Sequence, residues 1–464
     1  MALARNCCRT FDKHTRPSVI SCAPDYSLQQ TAERRIRRFG RSAAICRKAG
    51  FSGVEIHGAR GYLVSQFWTF RDLLGFSLGG FVAQDASLKA PGLVRKPSYP
   101  RHWSFYRNEY FVDLWRMKSL ANTTHHRSKR NMKALTFKRY GKSPEIGFAE
   151  MPRPTLKPDE LLVEVHAAGV NPIDNMITTG MFKPVLKVQL PATMGSDLAG
   201  IVIDVGSRVT RFKKGDAIFA SLFDLGRGSI AEFAVVPESA AAPKPVNLDF
   251  VQAASVPMVG LTSWQALKER ANLQPGQKVF IPAGSGGIGT LAIQLAKHFG
   301  AKVGTNTSTG NIPLVKGLSA DEVIDYKKQA FEKVLRDYDV VLGTIRGDAV
   351  EKSVGILKPG GKIVSLIGPL DAAFARARGL NFALKFVFGL MSRKIMRLAR
   401  KRDVTYSFLF VRPDGAQLAE IGKLLESERI HPVIDKVFPF EQAKEALEYL
   451  AQGRAKGKVV VKIK

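Results

Sequence analysis

The sequence predicts an α/β fold in which a barrel-like β domain precedes a doubly wound parallel sheet, with an irregular basic extension at the N-terminus. Three observations predict it. A chain of 464 residues is long enough for two or three domains with a full-sized core. Short β-rich runs separated by Gly, Pro and Asp begin at Met132. From about Ser255, apolar strands alternate with helices, which is the pattern of a parallel sheet covered on both faces.

Residues 1–131 differ from the rest of the chain in charge and in cysteine content. They hold 23 Lys and Arg against 8 Asp and Glu, and the remaining 47 against 32 give the same excess of 15 over more than twice the length. All four cysteines lie in this first segment, so the chain from Met132 onward offers neither a disulfide framework nor a thiolate metal site. We interpret residues 1–131 as a basic appendage rather than an independent domain.

The β domain is assigned to residues 132–254 because five β-rich runs follow one another there. These runs are "KALTFKRY", "ELLVEVHAAGV", "GIVIDVG", "DAIFASLF" and "AEFAVVP". The α/β domain is assigned to residues 255–412, and its predicted strands are "KVFIPA", "KVGTN", "EVIDY", "DVVLGT" and "KIVSLI". The closing "GKVVVKIK" has β-character again, so residues 413–464 are predicted to return to the β domain.

A glycine-rich turn separates the first predicted strand of the α/β domain from its first helix. Gly284, Gly286 and Gly289 form a GxGxxG pattern within "KVFIPAGSGGIGTLAIQLAKHFG". In a βαβ unit the first glycine permits a tight turn, and the second lets the backbone approach a pyrophosphate. The third lets the helix pack on the sheet, with its N-terminus facing the phosphates. This context predicts a dinucleotide-binding Rossmann domain; the alternative is an ordinary tight strand–helix turn.

The second strand of this unit ends without the acidic residue that grips the ribose 2′-hydroxyl in NAD sites. The chain reads "TNTSTGN" there, and no Asp or Glu occurs from Gly289 to Ala320. A carboxylate would repel a 2′-phosphate, whereas hydroxyl and amide groups donate hydrogen bonds to it. The sequence therefore predicts NADP over NAD. The candidate donors are Thr307, Ser308, Asn311 and Tyr326.

Six long motifs follow one another between Met132 and Lys464. They are "AAGVNPIDNMITTGMF", "PATMGSDLAGIVIDVGSRVTRFKKGDAIFA", "AASVPMVGLTSWQAL", "IPAGSGGIGTLAIQLAKHFGAKV", "LKPGGKIVSLIGP" and "GRAKGKVVVKIK". In this order they resemble the medium-chain dehydrogenase/reductase superfamily, within it the zinc-free branch of NADPH:quinone oxidoreductases and alkenal or enone reductases. The resemblance implies a GroES-like β-barrel as the substrate domain, a Rossmann domain that binds NADP, and a homodimer, which is usual among relatives.

Comparison with the zinc-dependent members of that superfamily predicts that this chain uses no metal. Those alcohol dehydrogenases place a catalytic Cys early in the β domain and a His in a "GHE" motif. Here the same places read "VNPID" and "GSDLAG", so Asn171 stands for the thiolate ligand and Ser196 for the histidine. Zinc requires three or four N or S ligands in tetrahedral array. Only three histidines remain after Met132, namely His166, His298 and His431.

Without a metal, the resemblance implies hydride transfer from NADPH to a quinone or an α,β-unsaturated carbonyl. By family position, Asn171 lies near the substrate carbonyl and Thr262 against the nicotinamide. Asp174 lies on the same cleft wall, where a turn-capping carboxylate is the alternative. These three are the candidate catalytic residues. The candidate coenzyme-binding residues are Gly284, Ser285, Gly286, Gly287, Ile288, Gly289, Thr307, Ser308, Asn311, Tyr326, Gly368, Phe410 and Lys458.

Aromatic residues offer a candidate pocket for the acceptor. Phe182, Phe408 and Phe410 are expected either to line it or to pack in the core. Relatives often carry a tyrosine two residues after the aspartate, where this chain has Met176, so the acceptor preference stays open.

The stretch "FGRSAAICRKAGFSGVEIHGARGYLVSQF" in the first segment resembles one βα unit of the old yellow enzyme family of NADH:flavin oxidoreductases. That family forms flavin-bearing (β/α)₈ barrels, and His57 stands at the strand end where such barrels keep their active site. The partner position holds Arg60, and a single βα unit cannot close a barrel. We interpret the stretch as a remnant, a fusion or an artefact of gene assembly, without flavin chemistry.

Two other functions stay open at this point. One is an NADPH-binding protein whose basic extension interacts with nucleic acid or a protein partner, although the chain has no specific nucleic-acid-binding motif. The other is an enoyl-thioester reductase, which shares the chemistry and differs in the acceptor. Turnover with a panel of acceptors would separate them.

We expect the protein in the cytoplasm, with the mitochondrion as the alternative. The Arg-rich N-terminus suits a transit peptide, whereas Asp12 and Asp25 argue mildly against one. No run of about 18 apolar residues predicts a membrane span. The nearest stretch, Gly379–Arg402, is interpreted as a long amphipathic helix packed on the core rather than a membrane contact.

Overall fold

The computed structural model describes residues 131–186 and 188–464, together with two short strands near the N-terminus. The chain divides into two units, Met1–Arg127 and Ser128–Lys464. In the first unit, β1 (Ile20–Ser21) and β2 (Ile56–His57) pair in parallel, and β2 falls within the stretch that resembles a βα unit. The rest of that stretch, Arg60 included, lies outside the described residues.

The β domain of the second unit consists of two sheets. In the smaller sheet, β3 (Asn131–Phe137) lies between β4 (Ile146–Pro152) and β6 (Ala192–Thr193). The larger sheet runs in the order β10-β8-β7-β5-β18-β17, and β9 also pairs with β5. Its strands are β5 (Glu160–Val170), β7 (Asp197–Val205), β8 (Ala217–Ser221), β9 (Phe233–Pro237), β10 (Ala241–Pro243), β17 (Ile434–Pro439) and β18 (Lys458–Lys462). All five predicted runs are strands, and the closing run is β18, antiparallel to β5.

The α/β domain has a parallel six-stranded sheet in the order β13-β12-β11-β14-β15-β16. Its strands are β11 (Lys278–Ile281), β12 (Lys302–Thr307), β13 (Glu322–Asp325), β14 (Tyr338–Gly343), β15 (Leu357–Ser365) and β16 (Thr405–Phe408). β12 and β13 lie on one side of β11, whereas β14 to β16 lie on the other side, so the order of the strands reverses between β11 and β14. In doubly wound sheets, ligands bind at the carboxyl ends of the strands at such a point. The glycine-rich turn follows β11 and therefore lies at this crevice.

The helices of the second unit lie in both domains and connect them. Their bounds are α1 (Pro172–Thr178), α2 (Phe250–Ala254), α3 (Pro257–Trp264), α4 (Gly287–His298), α5 (Ile312–Gly317), α6 (Phe331–Val334), α7 (Ala349–Ser353), α8 (Ala372–Ala377), α9 (Phe382–Lys401), α10 (Gly415–Glu426) and α11 (Ala443–Ala451). Helix α3 continues as a π-helical segment, Gln265–Arg270. None of the helices in the described part of the chain is long and apolar enough to cross a membrane.

The largest hydrophobic core is shared by the two domains. It joins α3, α4 and α10 with residues of β5, β7 and β8, and it includes the fully buried Leu261, Ile293 and Leu418. Because close packing of this kind transmits position from one element to the next, the cleft between the two sheets has defined walls. The boundaries proposed near residues 254 and 412 stay predictions, since no gap in packing marks them.

Candidate functional site

Three polar side chains form a buried network, called the floor network below, which adjoins the cleft-lining residues Asp174 and Ser196. The Asn171 amide donates to the Asp197 carboxylate at 2.9 Å, and the Lys458 ammonium donates to the Asn171 carbonyl oxygen at 2.5 Å. Lys458 Nζ and Asp197 Oδ2 are 3.5 Å apart, and the three residues are 4% exposed or less. Burial lowers the pKa of Lys458 and raises the pKa of Asp197 from their usual values. Both polar groups of Asn171 are thus engaged with protein, which makes it an organiser of the network.

Asp174 is attached to this network through the backbone of Asn171. It lies in the first turn of α1, accepts a hydrogen bond from the Asn171 backbone N–H at 2.8 Å, and accepts another from the Ser196 hydroxyl. It is therefore a capping carboxylate and a cleft residue at once, because Asp174 and Ser196 both line the cleft. Burial raises the pKa of Asp174 to about 7, even though both hydrogen bonds act to lower it.

Asp197 also fixes the start of helix α3. Its second carboxylate oxygen accepts the backbone N–H of Met258 at 2.9 Å, which lies in the first turn of the helix after Pro257. A carboxylate is favourable at a helix N-terminus, where backbone N–H groups lack partners. Thr262 stands about one turn further along α3 and is 4% exposed. The floor network therefore positions the helix that carries this predicted nicotinamide contact.

The glycine-rich turn is tightly packed where it meets the sheet. A Cβ at Gly289 would come within 2.4 Å of the Ala283 carbonyl oxygen, and a Cβ at Gly284 within 2.1 Å of the Thr305 hydroxyl. Gly286 differs, because a Cβ there would approach only the Ala283 carbonyl oxygen, at 3.3 Å, and would otherwise enter open space beside the N-terminus of α4. That space is where a pyrophosphate would lie against the backbone, with Gly287 and Ile288 opening the helix.

The turn also touches the strand that brings in Lys458. The Gly457 backbone N–H donates to the Ser285 carbonyl oxygen at 2.9 Å, and a Cβ at Gly287 would lie 3.1 Å from Lys458 Cδ. Lys458, predicted as a coenzyme contact, therefore links the glycine turn to the floor network. A separation of 287 residues lies between it and Asn171.

Side chains after β12 converge on the same turn. The Ser285 hydroxyl accepts from the Thr307 hydroxyl at 2.9 Å and from the Asn311 amide at 3.1 Å. Ser308 is half-buried, and Tyr326 is 58% exposed at the end of the neighbouring strand. The structure thus brings the predicted donors together around one edge of the crevice.

A carboxylate that sequence reasoning left out lies close to these donors. Asp325 pairs in register with Thr307 at the end of β13. It accepts the Thr309 hydroxyl at 2.6 Å and the Lys327 backbone N–H at 3.0 Å. The Thr309 hydrogen bond lowers the pKa of Asp325, so it is an ionised acid whose two oxygens are already engaged.

A cleft lined by residues of the β domain opens beside the floor network. Its lining includes Phe137, Asp174, Leu186, Val188, Ser196 and Phe223. The rings of Phe223 and Phe410 are 4.8 Å apart, and Phe182 lies 6.3 Å from Phe410. Phe408 instead belongs to a core cluster with Phe374 and Phe388, so for this residue the core-packing alternative holds.

One ion pair closes the side of this cleft. Arg378 binds both carboxylate oxygens of Asp224, at 2.5 and 2.7 Å, and donates to the Val185 carbonyl oxygen at 2.7 Å. Asp224 lines the cleft, and the guanidinium lies 5.0 Å from the Phe410 ring centre. A bidentate pair of this geometry holds the β domain against the segment after α8.

A second cavity of about 460 Å³ lies at the carboxyl ends of β14 and β15. Its lining includes Gly368, whose contact with the coenzyme stays a prediction, and also Arg346, Gly347, Ile367 and Pro369. Arg346 reaches from it to the sulfur of Met176, at 2.6 Å, so the side chain found in place of the relatives' tyrosine contacts the opposite domain.

Sequence reasoning missed Asp197 as a site residue. The signal was present, because Asp197 opens the apolar strand "DLAGIVIDV" and is wholly buried. A buried acid in a strand requires partners, and they come from β18 and α3. Among the described residues, no cluster of three His, Cys, Asp or Glu side chains suits a metal ion.

Three families of known proteins match parts of this chain. The alcohol dehydrogenase GroES-like domain matches residues 157–246, and the zinc-binding dehydrogenase family matches residues 318–461. The NADH:flavin oxidoreductase / NADH oxidase family matches residues 21–71, around the predicted βα unit.

Individual relatives match more than two thirds of the chain. NAD(P)H oxidoreductase RTN4IP1, mitochondrial, from Danio rerio is 34% identical and covers 72% of this chain and 91% of the relative. 2-Methylene-furan-3-one reductase from Solanum lycopersicum is 35% identical over 71% of this chain and 79% of that protein. The structure of the quinone oxidoreductase from Coxiella burnetii superposes with a TM-score of 0.63 at 29% identity, covering 72% of this chain and all of that one.

Proposed function

The chain belongs to the medium-chain dehydrogenase/reductase superfamily and is an oxidoreductase, and from that premise we propose that it transfers hydride from NADPH, without zinc, to a quinone or an α,β-unsaturated carbonyl. The observation that carries the proposal is the network of Asn171, Asp197 and Lys458 beside the cleft. Its three residues are fixed on the β domain, and Met258 and Gly287 contact it from the α/β domain, which supports a role for these polar groups where the coenzyme and acceptor would meet.

The residues at the family's zinc position do not suit zinc. Asn171 and Ser196 offer a neutral amide and a hydroxyl, whereas zinc sites use thiolate, imidazole and carboxylate ligands. The Lys458 ammonium, 2.5 Å from the Asn171 carbonyl oxygen, already supplies a positive charge there. A second cation beside it would be repelled. We therefore derive no catalytic step through a metal, although one matching family carries the name zinc-binding dehydrogenase.

The residues of the crevice suit a dinucleotide. The open space at Gly286, the N-terminus of α4 and the cavity at Gly368 lie along the carboxyl ends of β11, β14 and β15. When bound, the reduced nicotinamide supplies the hydride. The choice of NADP rests on the hydroxyl and amide donors around Ser285 and on the two lysines after Tyr326. Asp325 is compatible with it because Thr309 and the Lys327 backbone hold its oxygens.

The cleft suits a conjugated acceptor, because Leu186, Val188 and Phe223 give it an apolar wall. Phe410 packs against Phe223, and polar residues of the lining, Asp174 and Ser196 among them, can meet the carbonyl group. Hydride addition to the β-carbon of an enone breaks its C=C π bond and moves an electron pair to the carbonyl oxygen. The resulting enolate then takes a proton at carbon or oxygen. Relatives named for an alkenal/one and for a furanone substrate support this acceptor class.

Asp174 and Ser196 are the proposed source of that proton. Both line the cleft and are hydrogen-bonded to each other, and Asp174 is protonated below its pKa of about 7. In the structure the Ser196 hydroxyl donates to Asp174, and this hydrogen bond would reverse for the transfer. Asp174 would then give its proton to Ser196 Oγ while the Ser196 hydroxyl gives its own proton to the substrate, and Asp174 would recover a proton from solvent. General acids of this kind contribute about 10²–10⁴-fold to rate. Asn171 positions Lys458 and Asp197 and thereby keeps Asp174 in place.

The test is turnover by the full chain with NADPH or NADH and three acceptor classes: benzoquinones, alkenals or enones, and enoyl thioesters. Loss of nicotinamide absorbance with the first two classes, faster with NADPH, is the expected result. Turnover restricted to enoyl thioesters would identify the alternative reductase. Coenzyme binding without turnover of any acceptor would contradict this proposal and favour the alternative of a non-catalytic interaction role.

Oligomeric state and compartment remain predictions. The homodimer can be checked by light scattering. The mitochondrial alternative gains support over the cytoplasmic one because RTN4IP1 relatives from several vertebrates are named mitochondrial. Imaging of the chain with a C-terminal tag would decide between the two compartments.

A further inference from the structure

Helix α9 (Phe382–Lys401) packs on the protein through one face only. The residues of that inner face are Phe388, Ser392, Ile395 and Ala399, all buried. The predicted amphipathic helix packed on the core is therefore present. The helix ends in two basic residues, and no Asp or Glu occurs from Ala372 to Arg402. Its outer face is consequently free of negative charge along its whole length.

That outer face has two halves with different chemistry. At 3.6 residues per turn, the exposed apolar residues of the first half fall opposite the inner face. They are Phe382 (81% exposed), Phe386 (59%), Val387 (44%), Leu390 (51%) and Met391 (50%). The second half continues on the same side with exposed cations only. They are Arg393, Lys394, Arg397, Arg400 and Lys401.

Both halves of this outer face are unfavourable in water. Contiguous large apolar side chains rarely stay exposed on a soluble protein unless they bind something. Five cations along about three turns repel one another, and within the described residues only Lys394 has an acidic partner, Glu351. A partner with an apolar interior and an anionic surface would bury the apolar side chains and neutralise the cations. An anionic bilayer has both parts, in its acyl chains and its phosphates.

The inner face of α9 connects this surface to the acceptor cleft. Phe388 packs with Phe374 and Phe408, and Phe410 packs against the same cluster. Phe410 in turn contacts Phe223, which lines the cleft. A continuous row of packed aromatic side chains therefore joins the exposed apolar patch to the place where the acceptor is proposed to bind.

We propose that the outer face of α9 docks the protein on an anionic bilayer, with Phe382, Phe386 and Leu390 among the acyl chains and the cations of the second half against the phosphates. A fluid lipid surface suits this single convex helix, whose outer face follows no groove or ridge. Docking itself does not depend on the reaction. Its use rests on the proposed function: an acceptor dissolved in the membrane would reach the cleft beside α9.

Flotation of the full chain with vesicles tests the docking. The vesicles are phosphatidylcholine alone or phosphatidylcholine with phosphatidylserine. The wild type is expected to float with the mixed vesicles and not with the neutral ones. Phe382→Ser/Phe386→Ser is expected to abolish flotation, and Arg397→Gln/Lys401→Gln to weaken it by about fivefold per removed cation. Val246→Ser, at an apolar residue 87% exposed elsewhere, is the matched control and should float as the wild type does.

Flotation of both α9 variants at the wild-type level would overturn the proposal and assign any lipid binding to another part of the chain. A wild-type dimer that becomes monomeric in Phe382→Ser/Phe386→Ser, without lipid binding, would identify a second copy as the occupant and overturn it as well. Circular dichroism and unfolding curves verify that each variant is folded.

Turnover separates this inference from the proposed function. With a water-soluble benzoquinone, the α9 variants are expected to match the wild type, because they leave the cleft unchanged. With a long-tailed quinone embedded in mixed vesicles, they are expected to lose most of their rate. Absence of turnover with either acceptor would refute the proposed function and leave the flotation result standing by itself.

Discussion

Lys458 and Lys394 are both lysines paired with acids, and they stand for two regions that use charge in opposite ways. At the cleft floor, the side chains of Lys458 and Asp197 are 5% and 0% exposed, and every polar neighbour is fixed by a hydrogen bond. On the outer face of α9, Lys394 is 73% exposed and its partner Glu351 is 31% exposed. The first pair lies in a medium that screens poorly, whereas the second lies in water and salt.

The difference shows what each region can do. A buried charge must have its partner, so the floor is specific in position and intolerant of substitution. Exposed charges act through their sum, so the α9 face can lose one cation and keep its character. The floor is therefore suited to orienting one reacting molecule, and the α9 face to meeting an extended anionic surface.

The largest effect is expected from Lys458→Met. It removes the cation and leaves Asp197 buried without it, which typically costs about 3–5 kcal/mol of stability. Turnover should fall as well, because Asn171 and the glycine turn lose a shared contact. Urea unfolding measures the loss. Lys462→Met, at an exposed lysine of the same strand, is the matched control and should change stability little.

The double variant Lys458→Met/Asp197→Asn removes both charges and should recover part of the lost stability. An equal loss in the single and the double variant would show that packing rather than the buried charge determines the effect.

Asp174→Asn is expected to lower turnover of an enone by about 10²-fold or more, since the proposed proton donor is gone. In the wild type, turnover should fall above the Asp174 pKa of about 7, and the variant should lose this dependence. Rate profiles from pH 5 to 9 measure both, about two units either side of that pKa. If turnover of Asp174→Asn still falls above pH 7 as in the wild type, another group causes that fall and donates the proton.

The same residue predicts a dependence of stability on pH. Its pKa is raised from 3.8 to about 7 in the folded protein, so folding favours its protonated form. Its contribution is fully present below about pH 4 and is lost as the pH rises to about 7. The free energy of unfolding of the wild type, relative to that of Asp174→Asn, should therefore be highest at acid pH and should fall as the pH rises to about 7. A constant difference across this range would contradict the shifted pKa.

Asn311→Asp is expected to reduce the preference for NADPH over NADH by roughly tenfold, because a carboxylate would face the proposed 2′-phosphate in place of an amide. The change is nearly isosteric, and the Ser285 hydroxyl can donate to the new carboxylate. The ratio of kcat/KM for the two coenzymes measures it. Asn381→Asp, at the N-cap of α9, makes the same chemical change away from the crevice and should leave the ratio unaltered.

The sequence was sufficient for most strands and for the glycine turn, because their signals are local. β5 is rich in β-branched and other apolar residues, β11 is a short apolar run, and the turn follows β11 directly. It was not sufficient for β6 and β10, which have only two and three residues and exist because neighbouring strands bind them. β4 was missed for a related reason: it is a largely exposed edge strand with an interior glycine.

The residues of the site also divide into those that a local motif predicts and those that depend on distant strands. Asn171 and Asp174 could be named from one motif, whereas their bonds to Lys458 and Ser196 depend on how distant strands pair. Asp325 is a residue near the site that the sequence did not predict. It lies beyond the acid-free stretch in sequence, yet the parallel pairing of β12 with β13 places it beside Thr307. Spacing along the chain therefore located the coenzyme turn but could not list every charge around it.

The smallest effect is expected from Lys394→Gln on α9. Exposed ion pairs usually contribute about 0.2–1 kcal/mol, and this pair loses part of even that to screening by salt. A double-mutant cycle with Glu351→Gln, followed by urea unfolding at low and high salt, isolates the coupling between the two side chains. Because the pair is open to water, its coupling should shrink at high salt, whereas the effect of Lys458→Met should persist. A loss for Lys394→Gln as large as that for Lys458→Met would mean that the α9 face is held as rigidly as the cleft floor, and a surface adapted to meet a fluid bilayer would then be the wrong description of it.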